Sequence, residues 1–512
     1  MGTRYFHIIT DKITRYGVIG TKIRSINKQL SDFIHKNLRY ILIFYFLAST
    51  LIFCLQFFYF QSWDMVVRIL NGNYLLHNGY YFENFRAILE SFIIGLLAFV
   101  MGNYAVYGFI LLSNVIFFYA IYRITKLTGI DMFISVSLCM NFFLLAYGMM
   151  NGAELITFSF LILFVSSIYK RDVLAGFFLA LAFLSKYYAI LFAPLLLFLF
   201  VNKQHAKNTI LFIKNAVIVI VTLLPYFFFN YIRYGNFIYG FAVAYLSFGI
   251  TIARGFYWAT HFILNGLIEL VIPAGLIIVG YAIYRNKFLK KTLNKRNSVL
   301  FGGLVLAFFI YYRAYGLVSN SDATFRFFLL TLIFSILILS ATFTRRDYFW
   351  IFCFALVSLL ISACIIFSAV SPTNGNLIAM SQLSGASVPF SSIYGTMNCT
   401  VYSNEWVYLD YYGIPAAPLP YNVNNISEPI ISYFPMSNIS LPLRYSYGNV
   451  YIYGKNSCSF YKVNIDYFIL KNQYLASINQ TTLPFEPCTW ISFNSTIIQN
   501  TCNYVNSLFG NV

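Results

Sequence analysis

Charged residues are scarce in this chain of 512 residues: they make up only 10% of it, with 16 acidic residues against 34 basic ones. Hydrophobic residues make up 60%. A soluble domain could not cover that much apolar material with a wettable surface, so the composition excludes a soluble globular fold and predicts a multispanning membrane protein. The formal net charge is +18. Its basic residues lie in short segments between apolar runs, which is typical of cytoplasmic loops rather than of a nucleic-acid-binding surface.

Two further absences concern the ends of the chain. The basic N-terminal segment 1–39 has no signal-peptide cleavage pattern, so we expect it to stay in the cytoplasm. No Asn-x-Ser/Thr sequon occurs in the first 370 residues. Five follow, at Asn398, Asn425, Asn438, Asn479 and Asn494. This distribution predicts a glycosylated C-terminal domain, 371–512, outside the cytoplasm.

The composition of the segment 371–512 favours a small mixed α/β domain. The stretch "CTVYSNEWVYLDYYG" from Cys399 predicts a strand and a short helix, and "NVYIYG" from Asn449 and "DYFIL" from Asp466 predict strands. Cysteines in the apolar runs, Cys54, Cys139, Cys353 and Cys364, are interpreted as small hydrophobic residues. The polar domain has an even set, Cys399, Cys458, Cys488 and Cys502. Two disulfides are therefore expected, and three pairings are possible.

The apolar runs predict about eleven membrane crossings within a transmembrane domain, 40–370. These runs are 40–60, 105–122, 131–148, 154–169, 172–185, 187–201, 209–229, 262–284, 299–312, 327–343 and 348–370. A twelfth run, 87–101, would place the N-terminus and the sequon-rich domain on the same side if it crossed. We therefore expect it to lie in the outer leaflet, with the basic loops inside.

With this topology, the outer face collects ionisable residues at helix ends. The carboxylates are Asp64, Glu83, Glu90 and Glu154, and the cations are Arg68, Arg86, Lys186, Arg233, Arg254, Arg313 and Arg326. Ionisable groups near the membrane are costly and mark functional sites. Asp64, directly after the first apolar run, gains nothing structurally and predicts a functional carboxylate.

Several of these residues also have simpler interpretations. We expect Arg68 and Glu90 to be ordinary interfacial or helix-surface charges, and His77 to be a solvated loop residue. Lys186 is equally explained by a side chain that extends to the lipid headgroups. For Arg233 and Arg254, cation–π packing is an equal explanation.

The order of these features resembles the membrane-embedded GT-C glycosyltransferases, in particular the protein O-mannosyltransferase and aminoarabinose transferase branch. "WDMVVRIL" from Trp63, "NGYYFENFRAIL" from Asn78 and "ESFIIGLLAFVMG" from Glu90 are similar to that branch's external Asp and non-crossing juxtamembrane helix. "NGAELITF" from Asn151 and "SDATFRFF" from Ser321 are similar to its later acidic and basic helix ends.

The sequence also departs from the pattern of that branch. Met65 follows Asp64 where an acidic residue is frequent, and Ala87 and Ile88 stand where prolines are usual. There is no Asp-x-Asp or Trp-Trp-Asp motif, which disfavours the metal-dependent oligosaccharyltransferase branch.

The resemblance implies an inverting glycosyltransferase that moves a sugar from a polyprenyl (dolichyl) phosphate donor to a hydroxyl acceptor on a protein, glycan or lipid. Asp64 is implied as the base, with Glu83 or Glu154 as a further catalytic carboxylate that positions the acceptor or tunes Asp64. The cations implied for the donor phosphate are Arg86, Lys186, Arg313 and Arg326. No metal or other cofactor and no nucleic acid is expected, while membrane lipids are.

Two other function classes stay open at this point. One is a lipid-linked sugar flippase or transporter, and the other is a non-catalytic membrane scaffold with a glycosylated ectodomain. The outward site, sequons and cysteines fit an archaeal plasma membrane or, in a eukaryote, the endoplasmic reticulum membrane.

Overall fold

The computed structural model describes residues 28–149, 152–201, 205–241, 244, 298–317, 322–369, 387–394, 399–403, 405–419, 428–432, 435–436, 439–448, 450–455 and 459–465. Several predictions lie outside these residues: the apolar run 262–284, all five sequons, Arg254, the strand from Asp466, and Cys458, Cys488 and Cys502.

The described residues are mostly helical. Before residue 298 the helices are α1 Leu38–Phe60, α2 Trp63–Leu76, α3 Leu89–Met101, α4 Ala105–Thr128, α5 Met132–Cys139, α6 Phe142–Tyr147, α7 Glu154–Lys170, α8 Leu174–Ser185 and α9 His205–Tyr234. A 3-10 helix, Tyr187–Val201, separates α8 from α9. The later helices are α10 Ser298–Leu317, α11 Asp322–Ser340, α12 Tyr348–Ala369, α13 Ser387–Tyr394 and α14 Trp406–Tyr411.

Seven short strands accompany these helices. They are β1 Tyr81–Glu83, β2 Val401–Ser403, β3 Ala416–Pro418, β4 Ile430–Ser432, β5 Leu443–Tyr447, β6 Val450–Tyr453 and β7 Val463–Ile465.

Four stretches of the described chain are long and apolar enough to cross a membrane: Leu38–Phe60, Leu89–Thr128, Lys207–Tyr234 and Tyr348–Phe367. Shorter apolar helices are Leu174–Ser185, Tyr187–Phe200, Val299–Tyr311 and Phe328–Ser340. The chain therefore has the helices of a membrane protein, but the prediction of eleven crossings is wrong for the described residues.

Two features explain why the number of long helices is lower than predicted. The run 131–148 is divided, because the Asn141 side chain accepts a hydrogen bond from the Leu144 amide (3.0 Å) and starts the new helix α6. The helices α7 and α8 have 17 and 12 residues. At about 1.5 Å per residue, both fall short of a hydrocarbon core of about 30 Å.

The runs 87–101 and 105–122 form two helices, as the sequence predicts. Between α3 and α4, Gly102 has a φ of 54°, in the left-handed region that favours glycine. A 3-10 turn, Gly102–Tyr104, follows before α4 begins at Ala105. The second apolar stretch, Leu89–Thr128, is therefore interrupted at Gly102.

The chain divides into two compact units. Unit 1 comprises Met1–Gln56, Ile110–Leu223 and Tyr257–Ile366, and unit 2 comprises Phe57–Phe109, Leu224–Phe256 and Phe367–Val512. Unit 2 therefore contains residues from both sides of the domain boundary predicted at residue 371. In unit 1, α7 is the central helix, because it is buried from Glu154 to Ile168 and packs on α8, the 3-10 helix, α10 and α11.

Unit 2 contains a five-stranded mixed sheet with the order β3-β2-β4-β6-β5. β2 runs parallel to β3 and β4, whereas β6 runs antiparallel to β4 and β5. Its core includes Phe390, Val401, Leu409 and Ile452. The predicted mixed α/β character of the C-terminal region is confirmed, as are the strand and short helix after Cys399 and the strand after Asn449. Cys399 is disulfide-bonded, to a partner outside the described residues.

The stretch 62–90 is built into the C-terminal part of unit 2. Strand β1 pairs in parallel with β7, with Tyr81 opposite Val463. Val66 and Val67 of α2 pack in one cluster with Tyr81, Val407 and Val463. This pairing fixes the first charged residues after α1 against a scaffold that lies more than 300 positions later in the chain.

Candidate active site

The charged residues of the stretch 62–90 converge on Arg86. Its Nη1 lies 2.7 Å from Asp64 Oδ1, and its Nε lies 3.0 Å from Glu83 Oε2. The side chain of Arg86 is 23% exposed, that of Asp64 11% and that of Glu83 2%. The guanidinium also lies over the Phe85 ring, 5.1 Å from its centroid. One cation thus holds two carboxylates, and Asp64 is less completely buried than Glu83.

Helix α2 places its polar residues on one face. Asp64, Arg68 and Asn71 follow the spacing i, i+4, i+7. Asp64 lies in the first turn, where the partial positive charge of the helix N-terminus favours a carboxylate. Two turns later, the Asn71 side chain donates to the Glu83 carbonyl (3.0 Å) and accepts from the Glu83 amide (2.8 Å). Asn71 therefore ties the returning chain to α2.

The carboxylate of Glu83 is fixed by a second partner. Tyr81 donates its hydroxyl to Glu83 Oε1 at 2.6 Å, and the Trp406 indole donates to Tyr81 Oη at 3.1 Å. Burial, then the neighbouring charge of Glu83, raises the pKa of Tyr81 well above its ordinary value, so the phenol keeps its proton.

The charge of the Arg86 guanidinium is equally secure. Burial lowers the pKa of Arg86, but the charges of Asp64 and Glu83 outweigh that effect and hold it above its ordinary value. Arg86 is therefore a permanent cation between the two carboxylates.

Arg68 and Glu90 form a closed ion pair, contrary to the expectation of surface charges. Arg68 Nη1 lies 3.2 Å from Glu90 Oε2, and the side chains are 2% and 0% exposed. Helices α2 and α3 can approach this closely because each has a glycine where they cross, Gly72 in α2 and Gly95 in α3. A Cβ on Gly72 would lie 2.5 Å from the Ser91 carbonyl oxygen, and one on Gly95 would lie 2.8 Å from the Gly72 carbonyl oxygen. The prediction from sequence was wrong because it could not place α2 against α3.

Two more predicted residues meet in unit 1. Lys186 Nζ lies 3.1 Å from Glu154 Oε1, with Glu154 1% exposed and Lys186 17%. Lys186 follows the end of α8, and Glu154 begins α7. Lys186 therefore pairs with a buried carboxylate. It does not simply extend towards the lipid headgroups. Arg313 and Arg326 lie in α10 and α11, and their side chains are outside the described part of the chain.

Arg233 makes the cation–π contacts that were one of its two predicted explanations. Its guanidinium carbon lies 4.8 Å from the ring centroids of both Tyr74 and Phe82 and within 5.9 Å of Phe229. Its Nη2 donates to Tyr74 Oη at 2.6 Å. His77, the residue after α2, is exposed as a residue, but its ring Nε2 lies 2.8 Å from the Gly95 carbonyl oxygen and its ring contacts Phe99, so it is not simply a solvated loop residue.

Sequence reasoning did not single out Asn71, Tyr81 or Trp406. The i, i+7 spacing of Asn71 from Asp64 was a usable signal for a shared helix face. Nothing in the sequence pairs Tyr81 with Trp406, since only the packing of α14 on α2 brings them together. Among the residues that the structure describes, no group of three or more His, Cys, Asp or Glu side chains is arranged to hold a metal ion.

Comparison with protein-family models, with curated proteins and with solved structures finds no match to this chain.

Proposed function

We propose that the protein is an inverting glycosyltransferase of the GT-C type, which transfers a sugar from a polyprenyl phosphate to a hydroxyl acceptor on the extracytoplasmic side of the membrane. The observation that carries the proposal is the partly open Asp64–Arg86 pair, 2.7 Å apart, at the start of the helix that follows the first candidate span. A carboxylate and a guanidinium at a membrane boundary supply the base and the phosphate-binding cation that this reaction needs.

The resting ion pair suggests an order of events. In the absence of donor, Arg86 neutralises Asp64 and lowers its basicity. A donor phosphate attracts the guanidinium, because Arg forms bidentate contacts with phosphate oxygens. As the Nη groups of Arg86 shift to the phosphate while Nε stays on Glu83, the attraction of Arg86 for Asp64 weakens and Asp64 becomes the stronger base. Binding of the donor thereby activates the base.

The chemical step then balances as a single displacement. Asp64 accepts the proton of the acceptor hydroxyl while the acceptor oxygen forms a bond with the anomeric carbon. The bond from the anomeric carbon to the phosphate oxygen breaks, and polyprenyl phosphate leaves as an anion. Attack opposite the leaving group inverts the anomeric centre. Arg86 stabilises the charge that develops on the phosphate.

Further roles in the proposal come from the predicted residues. Asp64, Glu83 and Arg86 together carry one net negative charge, so a donor phosphate needs further cations beside Arg86. The phosphate-binding roles that the sequence suggests for Lys186, Arg313 and Arg326 in unit 1 stay predictions. Glu154 is proposed to orient Lys186, its partner at 3.1 Å. In the same proposal the N-terminus is cytoplasmic, and the C-terminal part of unit 2 is external and glycosylated, in an archaeal plasma membrane or an endoplasmic reticulum membrane.

The test uses purified protein in lipid nanodiscs with radiolabelled polyprenyl-phosphate mannose or glucose and an acceptor extract. We expect one donor to lose its label to a hydroxyl-bearing product in a time- and enzyme-dependent manner. Heat-treated protein is the blank. If the folded protein transfers sugar from neither donor, the proposal is contradicted.

A further inference from the structure

Five side chains of unit 2 form one continuous chain of hydrogen bonds, which begins in the C-terminal region and ends at the candidate base. In order, they are Trp406, Tyr81, Glu83, Arg86 and Asp64. The four links measure 3.1, 2.6, 3.0 and 2.7 Å. We call this set the Trp406–Asp64 chain.

The direction of every link in this chain is determined by chemistry. An indole N–H and a guanidinium only donate, and an ionised carboxylate only accepts. Trp406 donates to the oxygen of Tyr81, so the single proton of that hydroxyl goes to Glu83. A phenol-to-carboxylate distance of 2.6 Å is typical of a charge-assisted hydrogen bond. Both oxygens of Glu83 are then occupied, one by Tyr81 and one by Arg86.

The middle of the chain is enclosed, and its outer end is held by packing. Tyr81 is 1% exposed and Glu83 is 2% exposed, so neither can exchange its partner for water without cost. Trp406 lies in α14 and packs edge-on against Trp63, with ring centroids 4.7 Å apart. The C-terminal region therefore supplies the outermost donor of the site.

We infer that Trp406 is a positioning residue for the candidate base. Through Tyr81 it fixes the orientation of the Glu83 carboxylate, and Glu83 holds the Nε edge of Arg86 so that Nη1 is directed at Asp64. The C-terminal region thereby completes the site in α2. The catalytic consequence rests on the proposed function, whereas the effect on the Asp64–Arg86 pair does not.

The test is a double-mutant cycle of Trp406→Phe, Tyr81→Phe and the double variant, with two measurements. The first is the rate at which a water-soluble carbodiimide and an amine label the Asp64 carboxylate, followed by mass spectrometry. The second is the single-turnover rate of sugar transfer. We expect Trp406→Phe to raise labelling and to slow transfer by about 3- to 10-fold, as for loss of a neutral hydrogen bond. Tyr81→Phe should slow transfer by about 10- to 100-fold, because it removes a bond to a charged group.

Non-additivity distinguishes positioning from packing. If Trp406 acts through Tyr81, the double variant behaves like Tyr81→Phe alone. Tyr411→Phe is the matched control: it removes a hydroxyl from the same helix, and that hydroxyl has no hydrogen bond to the Trp406–Asp64 chain among the described residues. It should change neither measurement. If the melting curve shows that Trp406→Phe does not fold, the test is Asp64 labelling in Tyr81→Phe.

The outcomes separate the two proposals. Unchanged Asp64 labelling in Trp406→Phe or in Tyr81→Phe overturns the inference, and so do additive losses in the double variant. If wild-type protein transfers no sugar but labelling follows the expected cycle, the positioning role stands and the proposed function fails.

Discussion

The Asp64–Arg86 pair and the Arg68–Glu90 pair leave the same face of α2 one turn apart, but they differ in their access to water. Arg68 and Glu90 are 2% and 0% exposed, whereas Arg86 and Asp64 keep 23% and 11%. An ion pair that is fully desolvated cannot exchange partners without leaving a bare charge, so it serves structure. A partly open pair can exchange its partner for an incoming anion. On this helix, exposure rather than charge distinguishes the closed pair from the pair that we propose to be functional.

The largest expected effect is on the open pair. Asp64→Asn removes the proposed base while it keeps the side chain's shape, so transfer should fall by about 10²- to 10⁴-fold in a single-turnover assay. Its melting temperature should change little, because the pair is partly solvated. Asp172→Asn, which alters a carboxylate that lies 3.5 Å from Arg123 in unit 1, is the control and should transfer at the wild-type rate. If Asp64→Asn keeps full activity, the open pair has no catalytic role and does not differ from the closed pair in function.

Mutation of the closed pair, Arg68–Glu90, should lower the free energy of unfolding rather than the rate of transfer. Glu90→Gln removes the carboxylate charge that lies 3.2 Å from the buried Arg68 guanidinium, which should cost about 3–5 kcal/mol of unfolding free energy. Chemical denaturation monitored by circular dichroism in detergent measures it. The double variant Arg68→Met/Glu90→Leu removes both charges and should recover most of that loss. A single variant as stable as wild type shows that the pair is not closed.

The helix crossing that encloses the closed pair offers a smaller perturbation. Gly72→Ala places a methyl group 2.5 Å from the Ser91 carbonyl oxygen, which forces α2 away from α3 and should cost about 1–3 kcal/mol. Gly108→Ala in α4 is the matched control, because its nearest neighbour is the end of the flexible Met101 side chain. Thermal melting of both variants checks this, and equal melting temperatures contradict the close crossing.

A third carboxylate, Asp410, sharpens the comparison because it is buried and no cation pairs with it in the part of the chain that the structure describes. It is 4% exposed, its Oδ1 accepts from the Ala416 amide at 2.8 Å, and its Oδ2 has no partner among the described residues. Burial raises the pKa of Asp410 well above its ordinary value, although the Ala416 hydrogen bond opposes the shift. The folded protein therefore keeps a proton that the unfolded chain releases above about pH 4.

The sign of the pH effect follows from this difference. Stability is lost as the pH rises from the unfolded pKa through the raised folded pKa, with a slope of at most about 1.4 kcal/mol per pH unit. Asp410→Asn keeps the acceptor for Ala416 and has no proton to release, so it should melt at a higher temperature than wild type near pH 7 and at a similar one near pH 4. Parallel melting curves across that range would refute a protonated Asp410.

Much of the architecture was predictable because apolar runs and strand patterns are local signals. The mixed α/β region, the separation of α3 from α4 and the strand–helix unit after Cys399 follow from composition and short-range pattern. The number of long helices did not follow, because one capping residue, Asn141, divides a run whose hydropathy is continuous. A run of apolar residues shows that a segment is buried or in lipid, but it does not show where a helix ends.

The candidate site was predictable in part for a related reason. Asp64, Glu83 and Arg86 lie within one short stretch, so the scarcity of charge elsewhere drew attention to them. Arg68 and Glu90 belong to the same stretch and were misjudged, since burial depends on what packs on the other side of a helix. Trp406 was missed because its partner Tyr81 is more than 300 positions earlier in the chain.

The sequence by itself determined that this protein has helices long and apolar enough to cross a membrane, a mixed α/β region and an acidic and basic cluster after its first long helix. The reason is that solvation sets composition, and helical spacing sets which residues share a face. Only the tertiary structure decided which carboxylate meets which guanidinium and which pair stays open. The physical reason is that ion pairing depends on distances of a few ångströms and on local access to water, and both arise from contacts between segments far apart in the chain.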